Sequence, residues 1–155
     1  MQALIQTHDY TLLLKQAEAL IEDESDFIAN CANLSAFVMA MIEELNWVGF
    51  YFKKKDELVL GPFQGLPACT RIAWGKGVCG TSALLNQTQN IPNVHDFVGH
   101  IACDSASNSE CVVPIHHNGE VVGVMDVDSP QYHRFDASLQ TFLEDLVQRL
   151  ELKNG

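Results

Sequence analysis

Two apolar runs, Cys111-Val112-Val113-Pro114-Ile115-His116 and Glu120-Val121-Val122-Gly123-Val124-Met125-Asp126-Val127-Asp128, flank His117-Asn118-Gly119. Asn-Gly suits the tight turn that lets two strands reverse while keeping their natural twist, so the stretch reads as an antiparallel hairpin closed by Ser129-Pro130. A second hairpin is expected where Trp47-Val48-Gly49-Phe50-Tyr51-Phe52 and Leu58-Val59-Leu60-Gly61-Pro62-Phe63 bracket the charged run 53–57. Its lysines, Lys53, Lys54 and Lys55, read as a solvated turn.

Helical periodicity surrounds these strands. Leu13, Leu14, Ala17, Leu20 and Ile21 form a narrow stripe that Asp9 can cap, and Phe27, Cys31, Leu34, Val38, Met41 and Leu45 predict a longer helix from Asp26 to Leu45. Cys31 lies on that stripe and is assigned to the core. A short strand is expected around Thr70 to Trp74. Gly75-Lys76-Gly77-Val78-Cys79-Gly80-Thr81 then leads into a small helix through Leu85, and its spacing is not that of a phosphate-binding P-loop. Residues 86–110 read as a long irregular loop, a place where function often resides. Asp136 can cap a last helix that buries Leu139, Phe142, Leu143, Leu146 and Leu150 and runs to about Leu152. The order of elements defines an α+β fold with helices packed on an antiparallel sheet.

The 155 residues suit a single domain, and 47% hydrophobic with 19% charged residues is the balance of a compact chain. No apolar stretch reaches membrane-spanning length and no secretory leader precedes the first helix, so a cytoplasmic protein is expected. Twenty acidic against nine basic side chains give a formal charge of −11, which disfavours nucleic acid and anionic membranes as partners. Nothing in the sequence decides between a monomer and a homodimer.

Five cysteines, at 31, 69, 79, 103 and 111, argue against a secreted disulfide framework. Cys69, Cys79 and Cys103 fall outside the apolar stripes beside small or turn-forming residues, which suggests accessible sulfur. Cys103 is the best nucleophile candidate, because the polar run Asp104-Ser105-Ala106-Ser107-Asn108-Ser109 supplies N–H groups and hydroxyls able to stabilise a thiolate. Cys111, among valines and isoleucine, is assigned to packing. In a strand, residues two apart share a face, so Asp126 and Asp128 lie on the same side as Val122 and Val124, and Glu110 falls opposite 126–128 across the hairpin. Three acids at one strand end can hold an ammonium group or keep a carboxyl protonated as a general acid. The alternative is an exposed strand end at which Asp128 opens the turn before Pro130. His95 with His100 and Cys103, and the pair His116-His117, lack recognised ligand spacing, so no metal is expected. Trp47, Phe50, Tyr51 and Phe52 read mainly as core, with one aromatic free to wall a small pocket.

Taken together, Asn46-Trp47-Val48-Gly49-Phe50-Tyr51, Gly61-Pro62-Phe63-Gln64-Gly65, Pro67-Ala68-Cys69-Thr70, Gly75-Lys76-Gly77-Val78-Cys79-Gly80, Gly99-His100-Ile101-Ala102-Cys103-Asp104, Ser107-Asn108-Ser109-Glu110 and Asp126-Val127-Asp128-Ser129 resemble the motif series of the free methionine-(R)-sulfoxide reductases, which are GAF-fold enzymes. The resemblance runs from Asn46 to the closing helix, and the first two helices fit only in outline. It implies one GAF-like domain over 1–155, with N-terminal helices in 1–45, sheet and active-site loops in 46–135, and the C-terminal helix in 136–152. It further implies reduction of free L-methionine-(R)-sulfoxide, with Cys103 as nucleophile and Cys69 and Cys79 as recycling thiols, Cys69 preferred. Glu110, Asp126 and Asp128 match the family's acidic pocket, and Trp47 and Tyr51 its aromatic wall. No bound cofactor is implied; an external dithiol, thioredoxin reduced by NADPH through thioredoxin reductase, would restore the thiols. Cys111 departs from the aliphatic residue more usual at that place. A GAF small-molecule sensor and a thiol redox switch are the rival readings.

Overall fold

The computed structural model describes residues 9–100 and 106–154. Its centre is a six-stranded sheet, antiparallel at every pairing, made of β1 (Trp47–Lys54), β2 (Glu57–Gln64), β3 (Arg71–Ala73), β4 (Gln89–Ile91), β5 (Ser109–His117) and β6 (Glu120–Ser129) in the order β3-β2-β1-β6-β5-β4. The helices are α1 (Tyr10–Ile21), α2 (Phe27–Met41), α3 (Gly77–Leu85) and α4 (Ala137–Asn154). The α+β class expected from the element order is therefore the observed one.

Among the described residues, three of the four α-helices start at a carboxylate that satisfies first-turn N–H groups left without helical partners. Leu12 N–H donates to Asp9 Oδ1 at 3.1 Å, Ala29 N–H to Asp26 Oδ1 at 2.9 Å, and Leu139 N–H to Asp136 Oδ1 at 2.8 Å. Between β5 and β6 the turn residues Asn118 and Gly119 have φ of 53° and 80°. That doubly left-handed turn is the one Asn-Gly accommodates at least cost.

Alternation along the central strands divides the molecule into two apolar clusters. Val48, Phe50, Val113, Ile115, Met125 and Val127 face α1, α2 and α4, together with Cys31 and Cys111, both wholly buried. On the opposite face Trp47, Tyr51, Leu58, Ile72, Val112 and Val124 pack against Val78, Cys79 and Ala83 of α3.

Five details depart from the sequence reading. The second helix ends at Met41 rather than Leu45, because Ile42 turns to extended backbone and is itself buried, and Glu44 follows with φ of 61°. Leu20 is 43% exposed, leaving Leu13, Ala17 and Ile21 as the buried stripe of α1. Lys53 and Lys54 belong to β1, so the turn narrows to Lys55 and Asp56, and Lys53 Nζ sits 4.9 Å from the Trp74 ring centre. Part of the long loop is β4, a three-residue edge strand too short to show alternation. Backbone pairing to β5 and the Asn90 side-chain amide, which donates to Phe135 O and Gln140 Oε1, hold it in place. Finally, the register slips between Ile115 and His116, so Val122 packs with the helix-covered cluster while Val124 keeps the face of the two aspartates.

Candidate active site

Asp126 and Asp128 point to the α3 side of the sheet from β6, and Glu110 lies directly across from Asp128 on β5. All three are buried, with exposures of 6%, 8% and 6% for Asp126, Asp128 and Glu110. This excludes the reading of an exposed strand end. Burial, and then the charges of Asp126 and Asp128, push the Glu110 carboxyl well above its ordinary range. Burial also raises Asp126, against hydrogen bonds that favour its charged form. Asp126 Oδ1 has no hydrogen-bond partner among the described residues. A buried carboxylate oxygen without a donor is costly, and a bound cation or N–H donor is what would satisfy it.

The acids line a cavity with Trp47, Tyr51, Ala68, Ile72, Lys76, Gly77, Val78, Cys79, His100 and Ser107. Cys79, in the first turn of α3, holds its Sγ 4.0 Å from Glu110 Oε2. It is 5% exposed, and burial followed by the charges of Asp126 and Glu110 pushes its thiol well above the ordinary value. The expectation of an accessible Cys79 is thus corrected: placement beside glycines does not expose a side chain that the helix turns inward. The first turn of α3 carries no acidic residue, and its N-terminal end, Lys76 to Cys79, lies on the cavity wall. The N–H end of a helix favours negative charge. One side of the cavity therefore suits an anion and the other a cation.

The aromatic wall also positions a loop. Trp47 Nε1–H donates to Leu66 O at 3.1 Å, and Tyr51 Oη–H donates to Cys69 O at 2.8 Å. Trp47 stacks on Phe63 with ring centres 5.2 Å apart. Gly65, with φ of 133°, opens this loop where a Cβ would lie 2.6 Å from Trp47 Cδ1. Cys69, half-buried on the loop, is disulfide-bonded, whereas Cys31, Cys79 and Cys111 carry free thiols. Phe50 lies in the opposite cluster and takes no part in the cavity. Cys103, the expected nucleophile, lies outside the described residues.

The histidines fall apart as a group. His95 Nε2 meets Asn108 Oδ1 at 2.9 Å. His116 Nδ1 meets Glu151 Oε2 at 2.8 Å, and its strand position is far along β5 from Glu110. His100 lines the cavity with Nε2 3.6 Å from Glu110 Oε1; burial, then His95, lowers its pKa, so both members of this pair lean toward their uncharged forms. His100, Ser107 and, apart from Cys79, the start of α3 are not singled out for the site by the sequence. Their only signal was the glycines beside them and the hydroxyl-rich run before Glu110, patterns that many loops share.

The curled antiparallel sheet and the cavity between it and α3 define a class, and the sequence profile of the GAF domain matches residues 16–153. That match reaches back through α2 into α1, farther than the motif series indicates. Protein YtsP of Bacillus subtilis is 54% identical over 145 residues, covering 92% of this chain and 89% of that one. The free methionine-R-sulfoxide reductase of Escherichia coli is 47% identical over 145 residues, covering 94% and 88%. A solved structure of the free methionine-R-sulfoxide reductase from Neisseria meningitidis in complex with its substrate superposes with a TM-score of 0.90 at 41% identity, covering 94% of this chain and 87% of that one. The chain belongs to the GAF-domain family and, within it, to the free methionine-(R)-sulfoxide reductases. Among the described residues no helix is long and apolar enough to cross a membrane.

Proposed function

We propose that this protein reduces free L-methionine-(R)-sulfoxide to methionine. The observation that carries the reading is the buried triad Glu110, Asp126 and Asp128 lining one cavity with Trp47, Tyr51 and the start of α3, with Asp126 Oδ1 unpartnered among the described residues. The acids suit the ammonium of an amino acid, the N–H end of α3 suits its carboxylate, and the indole and phenol suit the S-methyl group. An ammonium beside a carboxylate exists only when the residue is free, so a peptide-bound sulfoxide fits poorly. The Escherichia coli relative, itself a free methionine-R-sulfoxide reductase, and the substrate complex of the Neisseria enzyme support the same reaction.

In this mechanism the Cys103 thiolate attacks the sulfoxide sulfur. Sulfoxide oxygen leaves poorly unless protonated, and Glu110, whose environment favours the acid form, is the donor of choice. Oxygen passes to Cys103, which becomes a sulfenic acid as the substrate sulfur gains two electrons and methionine departs. A second thiol condenses with the sulfenic acid, expelling water and forming a disulfide. The disulfide-bonded state of Cys69 supports Cys69 in that role, and the buried, proton-holding Cys79 suits it less. An external dithiol then reopens the disulfide by exchange. Thioredoxin, renewed by NADPH through its reductase, is the proposed donor, in a cytoplasmic setting and with a homodimer as the proposed assembly.

Replacing Cys103 by serine should abolish NADPH consumption in a thioredoxin-coupled assay with the free (R)-sulfoxide, by at least a thousandfold, while the variant still binds the substrate. Full turnover in Cys103→Ser would remove Cys103 from the mechanism. A wild type that binds the sulfoxide without turning it over would instead fit a sensor.

A further inference from the structure

The cavity contains a donor set that an amino-acid pocket does not require. One ligating atom each from Cys79, Glu110 and Asp126 lies within 4.8 Å of the others, and all three residues are buried. His100 Nε2 adds an imidazole nitrogen 3.6 Å from Glu110 Oε1. Asp126 also carries a buried Oδ1 with no hydrogen-bond partner among the described residues. A thiolate, an imidazole and carboxylates are the mixed ligands that a borderline divalent cation such as zinc takes in a four-coordinate site, and sulfur together with nitrogen makes calcium or magnesium a poor fit. Cys79, Glu110 and Asp126 stand within reach of one ion, and His100, beside Glu110, would swing in to complete a four-coordinate shell.

We infer that Cys79, Glu110, Asp126 and His100 form an inhibitory site for zinc-class divalent cations, occupied in competition with the amino-acid substrate. The competition follows from shared atoms, because the carboxylates that would hold a substrate ammonium are the ones that would ligate the metal. On binding, the Cys79 S–H bond and the Glu110 O–H bond break, both protons leave to solvent, and sulfur–metal and oxygen–metal bonds form with no change in oxidation state. The metal offsets the repulsion among the acids and removes Cys79 from any thiol chemistry. The metal site itself rests on the donor geometry and not on the proposed reductase activity; only the competition clause depends on that reading.

Cobalt(II), a spectroscopic stand-in for zinc, tests it directly. The full chain carrying Cys69→Ser and Cys103→Ser keeps Cys79 as the cysteine of the cavity, while Cys31 and Cys111 stay in the opposite core. Titration with cobalt should give a sulfur-to-metal charge-transfer band, abolished by a further Cys79→Ser and reversed by zinc. Asp126→Asn should weaken metal binding by at least tenfold. Absence of the band, or its persistence after Cys79→Ser with circular dichroism unchanged, overturns the site. In the wild type, zinc should raise the apparent KM for the sulfoxide and leave kcat unchanged, with recovery on adding a chelator. A cobalt band that the sulfoxide does not displace would keep the metal site and remove the shared substrate pocket.

Discussion

Neighbouring residues of β6 serve opposite purposes. Met125 and Val127 point into a dry cluster closed by three helices, while Asp126 and Asp128 point into the cavity beneath α3. On β5 the same contrast separates Cys111, wholly buried among apolar side chains, from Glu110 beside it. The dry face gains stability by removing apolar surface from water, whereas the cavity face crowds acidic groups together and leaves a carboxylate oxygen unpartnered among the described residues. One sheet thus supplies a rigid support and a strained recognition surface, and the difference shows that the site is held in place by the helices behind it.

The contrast breaks most severely if the dry face fails. Phe50→Ala, at a fully buried position, should lower unfolding free energy by about 3–5 kcal/mol, read as a shifted midpoint in a urea titration. The cavity face should respond in the opposite sense: Asp126→Asn should raise stability without substrate by about 1–2 kcal/mol and lower kcat/KM by about tenfold or more. If Asp126→Asn is destabilised, the acids are structural and not strained. A pH series sharpens the same point. Because Glu110 and Asp126 titrate higher in the folded chain than their reference values of 4.5 and 3.8, the folded state holds the extra protons. Stability should therefore fall as pH rises above the ordinary carboxylate range and through the raised values, with a shallower fall in Asp126→Asn. A thermal melt at several pH values checks the slope. The smallest effect belongs to the periphery: Asp136→Ala removes the cap on Leu139 N–H and should lower unfolding free energy by about 1 kcal/mol without altering kinetics.

Much of the scaffold was legible because it follows from local rules. Asp9, Asp26 and Asp136 cap where short carboxylates before apolar periodicity should, and Asn118-Gly119 turns where two strands meet. The two-residue spacing of Asp126 and Asp128 put them on a shared face, and counting from the turn placed Glu110 nearby. Other features had no local signature. Three residues of β4 cannot display a period, and the bulge that turns Val122 away from Val124 is a property of strand pairing. The tethers from Trp47 to Leu66 O and from Tyr51 to Cys69 O join residues 18 or more positions apart.

Taken alone, the order of residues determined the strand and helix pattern, the caps, the central turn and the pairing of acids on one side of a strand, because backbone sterics and side-chain alternation act over a few residues. Only the tertiary structure decided which side of the sheet three helices would seal, that Cys79 would be turned inward against Glu110, and that His100 and the start of α3 would join the acids. Burial and electrostatic repulsion depend on distances in space, and those distances are set when distant segments pack together.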